Sequence, residues 1–75
     1  MSIKEALKKK LEGDLEVAKT DLTTFIANPI GVAEHIDYVA TAEKKLEALS
    51  NAEDKLATLN KISEQMYLYK DKISE

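Results

Sequence analysis

Cysteine and arginine are absent from this 75-residue chain, and histidine and proline occur once each. Without cysteine the chain can form neither a disulfide nor a thiolate metal site, and one histidine leaves too few ligands for an ordinary zinc site. Without arginine it lacks the planar fork that usually reads guanine and phosphate. We therefore expect no metal, no cofactor and no nucleic-acid partner.

Long hydrophobic runs are also absent. No apolar stretch approaches the roughly 20 residues that span a bilayer, and the segment "MSIKEALKKKL" is too charged for the apolar region of a signal peptide. The expectation is a cytoplasmic protein with no membrane contact. A single domain of this size has a marginal core, and without disulfide or metal the remaining source of stability is association.

The composition that is present predicts long helices. Lysine, glutamate, alanine and leucine dominate, charged residues make up 33%, and only two glycines occur. Charge is segregated along the chain: residues 1–11 carry four Lys and one Glu, residues 12–54 three Lys and ten acids, and residues 55–75 four Lys and three acids. The net charges are therefore +3, −7 and +1. The predicted fold class is all-α.

The first helix is predicted to span about residues 3–27. Ser2 followed three residues later by Glu5 has the pattern of a capping box. Apolar residues then recur at intervals of three or four, which is the spacing of one helical face. This stripe consists of Ile3, Leu7, Leu11, Leu15, Ala18, Leu22 and Phe25 or Ile26.

A turn is predicted at residues 28–32, where Pro29 and Gly31 interrupt the helix, and a second helix at about 33–74, with Gly31 as its N-cap. A connection this short favours an antiparallel hairpin. The stripe of the second helix consists of Ile36, Val39, Ala42, Leu46, Leu49, Ala52, Leu56, Leu59, Ile62, Met66, Tyr69 and Ile73.

Ser50 offers an alternative to an unbroken second helix. With Glu53 three residues later it could cap a third helix, which would fold back to give a monomeric three-helix bundle. The apolar stripe continues across Ser50 without a change of phase, and Ser-Asn offers little turn chemistry. The hairpin with a long second helix is the preferred prediction.

The short turn also predicts a register in which the numbers of facing residues add up to roughly 61. Leu22 then faces Val39 and Leu15 faces Leu46. The N-terminal end of the first helix lies opposite Leu56 to Leu59. The second helix would extend beyond by about 20 Å at 1.5 Å per residue. We predict that this extension is an interface in a four-helix-bundle homodimer, formed by Leu59, Ile62, Met66, Tyr67, Tyr69 and Ile73.

The segment "EHID" is the only cluster that could carry chemistry. Glu34, His35 and Asp37 could ligate a metal, or His35 could act as a general base oriented by Asp37. However, no nucleophile or second histidine lies near, and acidic residues at the start of a helix are favoured by its dipole in any case. We predict that the protein is not an enzyme and has no catalytic residues.

The stretch "NPIGVAEHIDYVATAEKKLEALSNAEDKL" resembles small helical proteins encoded by tailed bacteriophages, in its Pro-x-Gly turn, Glu-His pair and acidic, alanine-rich helix. The resemblance implies a small phage accessory protein, located in the host cytoplasm and engaging a host protein. It implies no activity or site residue. Two hypotheses follow: a self-associating structural or scaffolding module, and an adaptor or inhibitor that docks another protein through its C-terminal helix.

Overall fold

The computed structural model describes residues 2–29 and 37–73, with the side chains of the second helix described as far as Met66. It contains two helices, α1 (Ile3–Ala27) and α2 (Tyr38–Ile73), and no strand in the described ranges. They form an antiparallel hairpin measuring 64 × 21 × 15 Å. The all-α helical hairpin is therefore confirmed. Because α2 runs unbroken through Ser50, the three-helix alternative is wrong.

Local side chains explain where α1 begins and ends. The hydroxyl of Ser2 accepts a hydrogen bond of 3.1 Å from the backbone N–H of Glu5, which satisfies one of the donors left unpaired at a helix start. At the other end, the backbone N–H of Asn28 donates to the carbonyl of Thr24. Pro29 follows and disfavours helical geometry in the residue before it, so the helix ends at Ala27.

Asp37 caps the start of α2. Its carboxylate accepts a hydrogen bond of 3.0 Å from the backbone N–H of Ala40, and its carbonyl accepts the first intrahelical bond, from Thr41. Asp37 itself is not helical, so this helix begins at Tyr38. The sequence pattern predicts a start near residue 33, and this boundary is wrong because Asp37 is not helical. The proposed N-cap Gly31 and its partner Glu34 lie outside the described residues.

The core is one narrow seam between the two helices. Its buried residues are Leu11, Leu22 and Ala52, and apart from Thr41 the half-buried ones follow the same alternating steps of three and four, as in antiparallel coiled coils. On α1 the seam consists of Leu11, Leu15, Ala18, Leu22 and Phe25. On α2 it consists of Ala42, Lys45, Leu49, Ala52, Leu56, Leu59 and Ser63. Two residues of this second set, Lys45 and Ser63, are polar.

The register of the hairpin differs from the prediction. Asp21 contacts Lys45, so the numbers of facing residues add up to about 66 instead of 61. Val39 and Leu46, predicted to face Leu22 and Leu15, are exposed. The reason is the later start of α2, which lengthens the connection and moves every pairing about five residues along the second helix.

The corrected register shortens the extension but retains it. Ile3, the first residue of α1, lies opposite about residue 63 of α2. Residues 64–73 of α2 therefore continue beyond the first helix, over about 15 Å at 1.5 Å per residue. We call residues 64–73 the overhang, the end of the hairpin that carries them the open end, and the opposite end the turn end.

Candidate interaction surface

The turn end is closed by a cluster of aromatic and charged side chains within the chain. The rings of Phe25 and Tyr38 lie 6.3 Å apart, and the Lys45 ammonium lies 5.4 Å from the centroid of the Phe25 ring. The same ammonium donates to both carboxylate oxygens of Asp21, at 3.0 and 2.9 Å. Lys45 thus occupies a seam position with its ammonium over the Phe25 ring and paired with the Asp21 carboxylate. This cluster is consistent with a register in which the numbers of facing residues add up to about 66.

The open end has an apolar groove on one side of the hairpin. Its volume is about 400 Å³, and its apolar lining comes from both helices. The lining residues are Leu7, Leu11, Asp54, Lys55, Thr58, Leu59 and Ile62. We call this the open-end groove. Four of these residues are leucine or isoleucine, and the other three are polar or charged.

On α1, the apolar residues leave the seam as the helix approaches the open end. Leu11 is 6% exposed, Leu7 is 41% exposed and Ile3 is 88% exposed. These residues follow each other at steps of four, which rotate the stripe by about 40° per step on a helix of 3.6 residues per turn. The seam alternates steps of three and four and would continue at Lys8 and Lys4. The apolar stripe of α1 therefore drifts toward the groove side.

The apolar residues of α2 drift toward the same side. The seam position after Leu59 is Ser63, while the next apolar residues are Ile62, 46% exposed, and Met66, 63% exposed. Ile62 lines the open-end groove. In the sequence, Tyr69 and Ile73 continue the spacing of Ile62 and Met66. Both helices thus turn their apolar residues out of the seam and onto one common surface.

A second, more polar groove extends this surface toward the turn end. It has a volume of about 530 Å³ and shares Lys55 with the open-end groove. Its lining residues are Asp14, Val17, Ala18, Asp21, Ala48, Asn51, Ala52 and Lys55. The surface is therefore continuous, with its largest apolar side chains at the open end.

Three of the six predicted interface residues lie on or beside this surface. Leu59 and Ile62 line the open-end groove, and Met66 is exposed on the overhang beyond it. The backbone of Tyr67, Tyr69 and Ile73 belongs to α2, and their side chains lie outside the described residues. Sequence reasoning missed Leu7, whose contribution to the groove could have been recognised from its step of four before Leu11.

The "EHID" segment lies only partly within the described residues. Glu34 and His35 are outside them, while the Asp37 carboxylate caps α2. Within residues 2–29 and 37–73, no group of three acidic, histidine or cysteine side chains could hold a metal ion. Neither of the two described helices is long and apolar enough to cross a membrane.

No family model, curated protein or solved structure matches this chain. The resemblance to small phage proteins stays a prediction.

Proposed function

We propose that this protein is a non-enzymatic helical module that self-associates through the open end of its hairpin and serves a structural or scaffolding role. The observation that carries the proposal is the common direction in which both apolar stripes leave the seam. A groove lined by Leu7, Leu11, Leu59 and Ile62, with an overhang beside it, is the kind of apolar surface that soluble monomers seldom leave uncovered.

The size of the core supports association. Among the described residues only Leu11, Leu22 and Ala52 are buried, and none is fully enclosed. The exposed large apolar side chains are Ile3, Leu7, Val17, Ile26, Tyr38, Val39, Leu46, Ile62 and Met66. A two-helix hairpin with this little buried area gains little over its conformational entropy, and packing against a second hairpin is a common way to add the missing burial.

A second candidate function uses the same overhang differently. A helical segment that extends past its intrachain partner and exposes Met66 could enter a groove on another protein, as amphipathic helices do in many adaptors and inhibitors. This candidate predicts a stable monomer that captures a host protein when the overhang is intact.

A pair of charge variants tests self-association. Met66→Glu places a carboxylate on the proposed interface, and we expect it to weaken the dimer at least tenfold, since burying an unpaired charge is costly. Ala57→Glu adds the same charge to an exposed position of the same helix outside the groove. We expect it to leave the mass unchanged. Light scattering at matched concentrations measures both.

The two functions give opposite results. If wild-type protein is a dimer and only Met66→Glu becomes monomeric, self-association is supported. If the wild type is a well-folded monomer and Met66→Glu alters neither mass nor stability, self-association is wrong and the adaptor function becomes the better explanation.

A further inference from the structure

We propose that two copies join at their open ends, antiparallel about a two-fold axis beside Ile62, so that the overhang of each α2 lies in the open-end groove of the other. This inference rests on the proposed self-association and adds the surface and the direction of packing. The occupant of the groove is thus a second copy of this chain.

The positions of the apolar side chains along the hairpin determine where we place the two-fold axis. Symmetric dimers use the same patch on both subunits, so the axis must pass through the patch itself. Leu7 and Leu59 lie on one side of Ile62 along the hairpin, and Met66 lies on the other. An axis beside Ile62 therefore sets Ile62 of one copy against Ile62 of the other, and it places Met66 within about one residue of the level of Leu7 and Leu59 of the second copy.

The overhang and the groove agree in length under this symmetry. An axis at residue 62 pairs α2 residues whose numbers add up to about 124, so Met66 lies near Thr58 of the second copy and Tyr69 lies near its Lys55. Both Thr58 and Lys55 line the open-end groove. The overhang is about 15 Å long and ends opposite Asn51 of the second copy, which lines the more polar groove of that copy.

Charge favours this direction of packing over the alternatives. The acidic segment 12–54 carries three Lys and ten acids. A parallel pair would lay two such segments side by side, whereas joining the open ends keeps them at opposite ends of the assembly. By the same register Lys70 lies opposite Asp54 and Lys72 lies level with Asp14 of the second copy, both of which lie at the grooves, while Asp71 lies opposite Glu53. The smaller +3 segments do approach the axis, where salt at about 0.15 M screens their repulsion.

The natural absence of cysteine permits a clean cross-linking test of this arrangement. Lys55→Cys and Tyr69→Cys are prepared separately, mixed and oxidised gently. Disulfides require Cα atoms within about 7 Å, so only residues that face each other are joined. We expect the mixture to give a disulfide-linked dimer of one Lys55→Cys and one Tyr69→Cys chain, with at least tenfold less linkage in either variant alone.

A matched control and the unlinked mass complete the experiment. Glu47→Cys is exposed and lies outside both grooves, and we expect it to stay unlinked when mixed with Tyr69→Cys. Linkage of each variant to itself would indicate a parallel pair and overturn the proposal. A dimeric mass before oxidation with no linkage would also overturn it while leaving self-association standing. A monomeric mass for both variants and for the wild type would overturn both.

Discussion

The turn end and the open end of this hairpin differ in the contacts that their side chains make within the chain. At the turn end, Phe25, Tyr38, Lys45 and Asp21 contact one another, so aromatic and charged groups find partners within one chain. At the open end, Leu7, Ile62 and Met66 are turned to one side of the seam and have open space beside them. The contacts at the turn end lie within one chain, although Ile26 and Val39 are exposed there as well. For the open end, we propose that a helix of a second copy supplies the missing contacts.

Replacing a buried leucine near the turn end should have the largest effect. Leu22→Ala removes one of the three buried seam residues, and we expect it to lower the free energy of unfolding by about 2–4 kcal/mol. Because Leu22 belongs to the intrachain seam, the loss should be seen as a lower urea midpoint at every protein concentration. If the decrease in the free energy of unfolding disappeared on dilution, the turn end would also depend on a second copy.

Equivalent substitutions at the two helix caps allow the stability of the two ends to be compared. Asp37→Ala and Ser2→Ala each remove one hydrogen bond to a backbone N–H at a helix start. We expect each to cost about 1 kcal/mol of stability in urea titrations. Ser2 lies at the open end, where α1 approaches the proposed interface, so its substitution should also weaken the dimer. Equal dimer affinities in the two variants would contradict that difference.

The ion pair at the turn end should give the smallest effect. Lys45 and Asp21 are partly exposed, and pairs of this kind contribute about 0.2–1 kcal/mol. A double-mutant cycle with Asp21→Asn and Lys45→Gln should give a coupling energy within that range, unchanged by dilution. A coupling energy near zero would mean that the ion pair does not stabilise this register, which would then depend on the Phe25–Tyr38 contact and the leucine seam.

The sequence predicted the two helices and the hairpin because the apolar period and the interruption near Pro29 are local signals. It did not predict the register, which depends on the length of the connection. The cap at Asp37 was not recognised because Glu34, three residues earlier, has the same preference for a helix start. Lys45 was not recognised as a seam residue because its adjacent Leu46 is the more apolar of the two, and only the ring of Phe25 and the carboxylate of Asp21 reverse that preference.

The same apolar stripes predict the interface residues, but that prediction also used a hairpin register that is wrong. An extension of α2 past α1 was expected from a turn that proved too short, and the longer connection reduces the extension without removing it. What the stripes do encode is the drift: steps of four at Ile3, Leu7 and Leu11, and polar Ser63 at the seam position beside Ile62. The side of the hairpin onto which they drift follows from the antiparallel pairing, which required the three-dimensional structure.

We propose that a second copy completes the open end, and the absolute mass in solution shows whether it does. Light scattering across a hundredfold dilution of the wild-type protein, with circular dichroism on the same samples, gives mass and helicity together. We expect a dimer that loses helicity only as it dissociates. A fully helical monomer at every concentration would contradict it.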